Sequence, residues 1–163
     1  MYYDQLVSPE DLEVLAKTDE AFEKGNSEFF IALLERGASI ALRNRAVCIL
    51  AEIGDERCVP ILSKVIRNDP NPLVRHEAAF TLGQLGYPSG VPALTEGMLK
   101  DNSILVRHEA AVALGSIGDQ SARDALMQAT KDPDEFVRQS AIIALLNLDY
   151  LKSSSEKRSQ HKK

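Results

Sequence analysis

His76-Glu77 and His108-Glu109 are the residues of this 163-residue chain best suited to do chemistry. Imidazole nitrogen and carboxylate oxygen form a mixed donor set that suits iron, and also manganese or zinc. Each pair sits in nearly the same surroundings, LVRHEAAFTLGQLG from Leu73 and LVRHEAAVALGSIG from Leu105, 32 residues apart. Adjacent residues on a helix diverge by about 100°, so each pair flanks one edge of one helix face. Helices stacked about 8–10 Å apart would make the two pairs neighbours.

Two His and two Glu on one surface still leave a metal short of ligands and open to water. A second copy related by a two-fold axis would supply the facing wall. Two copies together would bring four His and four Glu to the space between them. The competing account is a pair of solvated surface residues, copied once with their helix, each Glu paired to a neighbouring Arg. Copying alone does not explain their confinement to two repeats, because the flanking repeats carry Asn44-Arg45 and Gln139-Ser140 at the same register. His161, alone near the C-terminus, is assigned no role.

The elements that must position these residues follow from a period. Arg43, Arg75, Arg107 and Arg138 recur at intervals of 32, 32 and 31, and Gly54, Gly86 and Gly118 follow at 32, with Asp149 in the fourth place. A period near 32 implies stacked helical hairpins. Ser39, Asn71, Ser103 and Asp134 are N-cap types, each placed three residues before an aliphatic expected in the core. Pro72 suits the first helical position, and the glycines suit left-handed C-terminal caps. Inner helices are therefore expected near 39, 71, 103 and 134, and outer helices from Pro60, Pro92 and near Asp124. Upstream, an opening helix is expected with Ser8 as its cap and Pro9 behind it, followed by an outer helix ending at Gly37. The expected fold is all-α, an α-α superhelix of about four helical hairpins, in a single domain over residues 1–151. The Arg series is expected to pair with Asp69, Asp101 and Asp132, which share the period, and Cys48 is expected to pack in the core.

Composition narrows the function classes. Apolar residues are 44% and charged residues 26%, as in an ordinary globular protein. Residues 152–163 carry five cations against one anion, a net +4, which leaves −9 on residues 1–151 within the overall −5. So acidic a body is a poor phosphate binder, so no nucleic acid is expected as a partner. The basic tail has no apolar residue to pack and is expected to be disordered. No apolar run reaches the ~18 residues that span a bilayer, so no membrane role is expected. The acidic start MYYDQLVSPEDLE lacks a signal pattern, and Cys48 and Cys58 lie ten apart in no ligand spacing. Both point to the cytoplasm.

The pattern V-R-x-x-A-A-x-x-L-G-x-I/L-G resembles the short HEAT-like repeats of phycobilisome lyases and their relatives, over roughly residues 39–150. A narrower resemblance is to the deoxyhypusine hydroxylases, HEAT-repeat di-iron enzymes whose adjacent repeats carry His-Glu at this register. Such an enzyme has two halves, and its four His-Glu pairs hold two irons between them. This chain resembles one half. The resemblance implies His76, Glu77, His108 and Glu109 as iron ligands, with two irons per homodimer. It also implies O2-dependent hydroxylation of an aliphatic C–H by a monooxygenase, with deoxyhypusine on its translation factor as the type of substrate. The acidic body suits such a cationic side chain on a protein. Two alternatives stay open: a non-catalytic HEAT-repeat scaffold for protein–protein interaction, and a chromophore-handling subunit resting on repeat type alone.

Overall fold

The structure is a computed structural model and describes residues 9–160. Ser8 and His161 lie outside the described residues. Among those described, the chain is all-helical. An opening helix α1 (Pro9–Glu23) is followed by four hairpins: α2 (Ser27–Glu35) with α3 (Ile40–Ile53), α4 (Val59–Asn68) with α5 (Pro72–Leu85), α6 (Val91–Lys100) with α7 (Ile104–Ile117), and α8 (Arg123–Ala129) with α9 (Glu135–Gln160). The even-numbered helices form an outer row and α3, α5, α7 and α9 an inner row. Leu50, Leu62, Leu82, Leu94, Leu114 and Leu148 are fully buried between the rows, giving one continuous core. Among the described residues no helix is long and apolar enough to cross a membrane.

Local chemistry sets the helix ends. The Asn71 side chain accepts from Leu73 N at 2.8 Å and Asp134 from Phe136 N at 2.9 Å, while Ser39 accepts from Leu42 N at a longer 3.4 Å. Ser103 departs from the expected pattern and makes no side-chain cap bond. Its own N–H is instead held by Asp101 Oδ1 at 2.8 Å, which fixes the same turn without a cap. Gly86 (φ 73) and Gly118 (φ 72) end α5 and α7 in the left-handed conformation that side chains resist. Gly54 does not: its φ is −75, against the left-handed cap expected there. It is required for another reason, since a Cβ would sit 2.3 Å from the Leu50 carbonyl oxygen.

The arginines bind the repeats together as expected. Arg43 Nε meets Asp69 at 2.7 Å, Arg75 meets Asp101 at 2.7 Å and Arg107 meets Asp132 at 2.9 Å. A second nitrogen of each arginine completes a bidentate pair. A third donates to a carbonyl of the loop before its own helix: Ala38, Asp69 and Asp101. Each arginine thus clamps two successive interhelix loops. Burial acts to raise the Asp101 and Asp132 carboxyls, but the hydrogen bonds from their arginines and from the following backbone N–H outweigh it. Both are held below the usual carboxylate range.

The basic end continues the last helix. Residues 152–160 are helical as the continuation of α9, where the expectation is a disordered tail. The tail lacks apolar residues to pack, yet a helix already nucleated by packing needs only propagation. Lys, Glu and Arg extend it readily, and Asp149 stands where Gly86 and Gly118 stop the earlier helices. The extension is almost wholly exposed between residues 151 and 158. Ending the chain after Leu151 should therefore leave unfolding free energy within about 0.5 kcal/mol of the intact chain. Thermal and urea unfolding of the two forms would check this, and a larger loss would show that the extension packs.

Candidate metal centre

The α5–α7 contact positions the two His-Glu pairs. Gly83 on α5 lies so close to α7 that a Cβ would come within 2.8 Å of Ala113 Cβ and 2.9 Å of its Cα. One repeat on, Gly115 meets Ala144 of α9 with the same two distances. Small residues permit this approach of helix backbones, which makes the inner row the tight side of the stack.

Across that contact His76 Nε2 lies 3.3 Å from Glu109 Oε2, and His76 Nδ1 lies 3.6 Å from Glu77 Oε1. The side chains are partly sheltered, 28% exposed for His76, 30% for Glu77 and 12% for Glu109. Three of the four expected ligands therefore meet. The fourth, His108, turns toward the next helix, with Nδ1 2.7 Å from Ser140 Oγ. Neither carboxylate is neutralised by an arginine or lysine among the described residues; each has His76 as its ion-pair contact. No group of three or more His, Cys, Asp and Glu side chains is arranged as a metal cage among the described residues. The donor types, imidazole and carboxylate, suit iron, manganese or zinc and lie together on one face.

The flanking repeats spend the same register on other contacts. Arg45 donates to Thr18 Oγ1 at 2.7 Å and to Asp19, and Gln139 donates to Glu135 at 2.9 Å. Cys48 is exposed, not packed in the core as expected; Cys58 is the buried thiol. Cys48 Sγ lies 3.7 Å from Glu77 Oε2. The helix walls around it, then the negative charge of Glu77, push its thiol above the ordinary range, so it stays protonated and donates to that carboxylate.

Two shallow grooves flank the His-Glu residues. One of about 460 Å³ between α3 and α5 is lined by Cys48, Glu52, Glu77, Phe80 and Gln84. The other, about 350 Å³ between α7 and α9, is lined by His108, Val112, Ser116, Ser140, Ile143 and Asn147. Phe80, Val112 and Ile143 share one register one turn beyond the His-Glu positions and are all exposed. This apolar row, Ser140, Gly83 and Gly115 were missed by reasoning on the sequence. The period carries the signal of the row, which recurs at 32 and 31, and of Gly83 and Gly115 at 32, while Ser140 breaks the recurrence.

The signature of HEAT repeats matches residues 27–114 and again 91–156. The chain belongs to the HEAT-repeat family. Among curated proteins none matches it. Among solved structures, this HEAT-repeat protein is similar to human deoxyhypusine hydroxylase, solved in complex with glycerol, with 31% identity and a TM-score of 0.69. The match covers 77% of this chain and 44% of the hydroxylase, so the HEAT-repeat protein spans less than half of that enzyme's length.

Proposed function

We propose that this HEAT-repeat protein carries half of a di-metal centre and that a second copy completes it, with His76, Glu77, His108 and Glu109 of each chain as ligands. The observation that carries this is the meeting of His76 and Glu109 across the α5–α7 contact, beside two carboxylates that no arginine or lysine neutralises among the described residues. Its likeness to a hydroxylase of roughly twice the matched span is the second support. Iron suits the donor set, and manganese or zinc are chemically admissible. Two irons per homodimer is the expected content. When bound, they would supply O2 activation for hydroxylation, one oxygen atom entering an aliphatic C–H bond and the other leaving as water with two electrons and two protons from an external reductant.

The chain's own residues have separate roles. Glu77 and Glu109 supply negative charge against the cations, and the imidazoles supply neutral nitrogen. Cys48 holds Glu77 by its thiol proton. The groove that carries Glu52 and Glu77 suits an aliphatic cationic side chain presented by a protein, as in deoxyhypusine. An O2-dependent monooxygenase of the deoxyhypusine hydroxylase type is the reading these features support.

Expression with iron supplied, then elemental analysis and light scattering, tests it. One metal per chain in a dimer is expected, and His76→Ala or Glu109→Ala should each remove most of the metal. A metal-free monomer would overturn the proposal. It would favour the second reading, a non-catalytic scaffold, for which the exposed row Phe80, Val112 and Ile143 is the supporting observation. On that account the same substitutions weaken partner binding and leave metal content at zero throughout.

A further inference from the structure

The two histidines of the proposed centre stand in different surroundings. His76 has a carboxylate near each ring nitrogen. His108 instead sets Nδ1 2.7 Å from the hydroxyl oxygen of Ser140 on α9. Ser140 is buried, and its Oγ also lies 2.8 Å from the carbonyl oxygen of Phe136, one turn back. Two oxygens at that distance need a proton between them, and a carbonyl brings none. The hydroxyl therefore donates to Phe136, a bond that serine commonly makes inside helices. Only lone pairs of Oγ remain for the imidazole, so Nδ1 is the nitrogen that carries the ring proton. A neutral imidazole carries one, which leaves Nε2 with a free lone pair.

We infer that Ser140 is a positioning residue: it holds His108 in the Nδ1–H tautomer and so leaves Nε2 as the metal-binding nitrogen. Outer partners of this kind fix the tautomer and ring orientation of metal-binding histidines. The register adds a second support. Ser140 occupies in the fourth repeat the place that Glu77 and Glu109 occupy in the second and third. A short hydroxyl there reaches back to His108, where a glutamate would extend the acidic row. The fourth repeat thus supports the ligand of the third. This inference rests on the metal-centre proposal above.

Long-range proton–nitrogen NMR on the metal-free full chain reads the tautomer directly. It is best recorded at about pH 8, where an ordinary imidazole is neutral. The wild type should show His108 protonated at Nδ1, and Ser140→Ala should shift it toward Nε2–H. Titration with Zn2+ alone should show affinity reduced about 10–100-fold in Ser140→Ala. Ser140→Thr, which keeps the hydroxyl, should recover both the tautomer and the affinity. The wild-type tautomer needs no variant, so the inference is tested even if a substitution unfolds the chain. An Nε2–H tautomer in the wild type overturns the inference and leaves the metal centre standing. Unchanged Zn2+ affinity in a folded Ser140→Ala overturns the positioning role in the same way. A wild type with the Nδ1–H tautomer that binds no Zn2+ or iron overturns the metal centre itself, and with it the role given to Ser140.

Discussion

Asp101→Ala should destabilise the protein by about 3 kcal/mol at neutral pH, near the lower end of what breaking a buried ion pair costs. The lower end applies because the Arg75 side chain keeps 14% of its surface, against 7% for Asp101. The loss has two parts. Arg75 is left sheltered with no carboxylate, although it keeps its bond to the Asp69 carbonyl. The N–H of Ser103 loses its acceptor, and with it the turn that starts α7 without a side-chain cap. The double variant Arg75→Ala/Asp101→Ala should cost less than the sum of the two single variants, because it leaves no stranded charge. Urea unfolding of the four proteins would measure this, and simple additivity would show that the pair contributes nothing as a pair.

Acid should erase the difference. The folded-state values of Asp101 and Asp132 are depressed, so the folded protein binds fewer protons than the unfolded chain in that range. Their stabilisation is present above the ordinary aspartate value, about 3.9. It is lost as pH falls through the lower folded value. The wild type should therefore weaken below about pH 4, and the gap between it and Asp101→Ala should narrow there. A gap independent of pH would mean that Asp101 acts by shape and not by charge.

Gly83→Ala and Gly115→Ala should each cost about 1–3 kcal/mol, as overpacking does. The sign is the informative part. In an exposed helix interior the same change stabilises by up to about 1 kcal/mol, since glycine is the poorer helix former. Here the added Cβ would meet Ala113 Cα or Ala144 Cα at 2.9 Å, and backbone cannot move aside as a flexible side chain can. The inner helices must separate. Gly83→Ala then parts His76 from Glu109 and should lower metal content, while Gly115→Ala loosens the His108–Ser140 contact. Thermal unfolding with elemental analysis would check both, and a stabilised Gly83→Ala would refute the close approach.

Much of the fold was legible because its signals are local and repeat. Ser39, Asn71 and Asp134 bound the inner helices by a chemistry that needs no distant partner, and the Arg–Asp clamp could be read from two series with one period. Where local signals misled, a neighbour decided. Gly54 was read as a left-handed cap, and the Leu50 carbonyl gives it a different reason to be glycine. Cys48 was read as core, but its helix turns it to the face that Glu77 shares. The basic end was read as disordered because nothing in its composition packs, yet it inherits a helix nucleated upstream.

The His-Glu pairs divide along the same line. By itself the sequence determined that two such pairs stand at one register on neighbouring inner helices, since period and helical geometry need no tertiary information. Only the tertiary structure decided which of them meet. The distance between α5 and α7 depends on the backbone contact at Gly83, and that contact brings Glu109 to His76. The orientation of His108 depends on a hydroxyl 32 residues further along the chain. Side-chain direction is set by what packs beside it, and a pattern written along one strand of sequence holds no record of that.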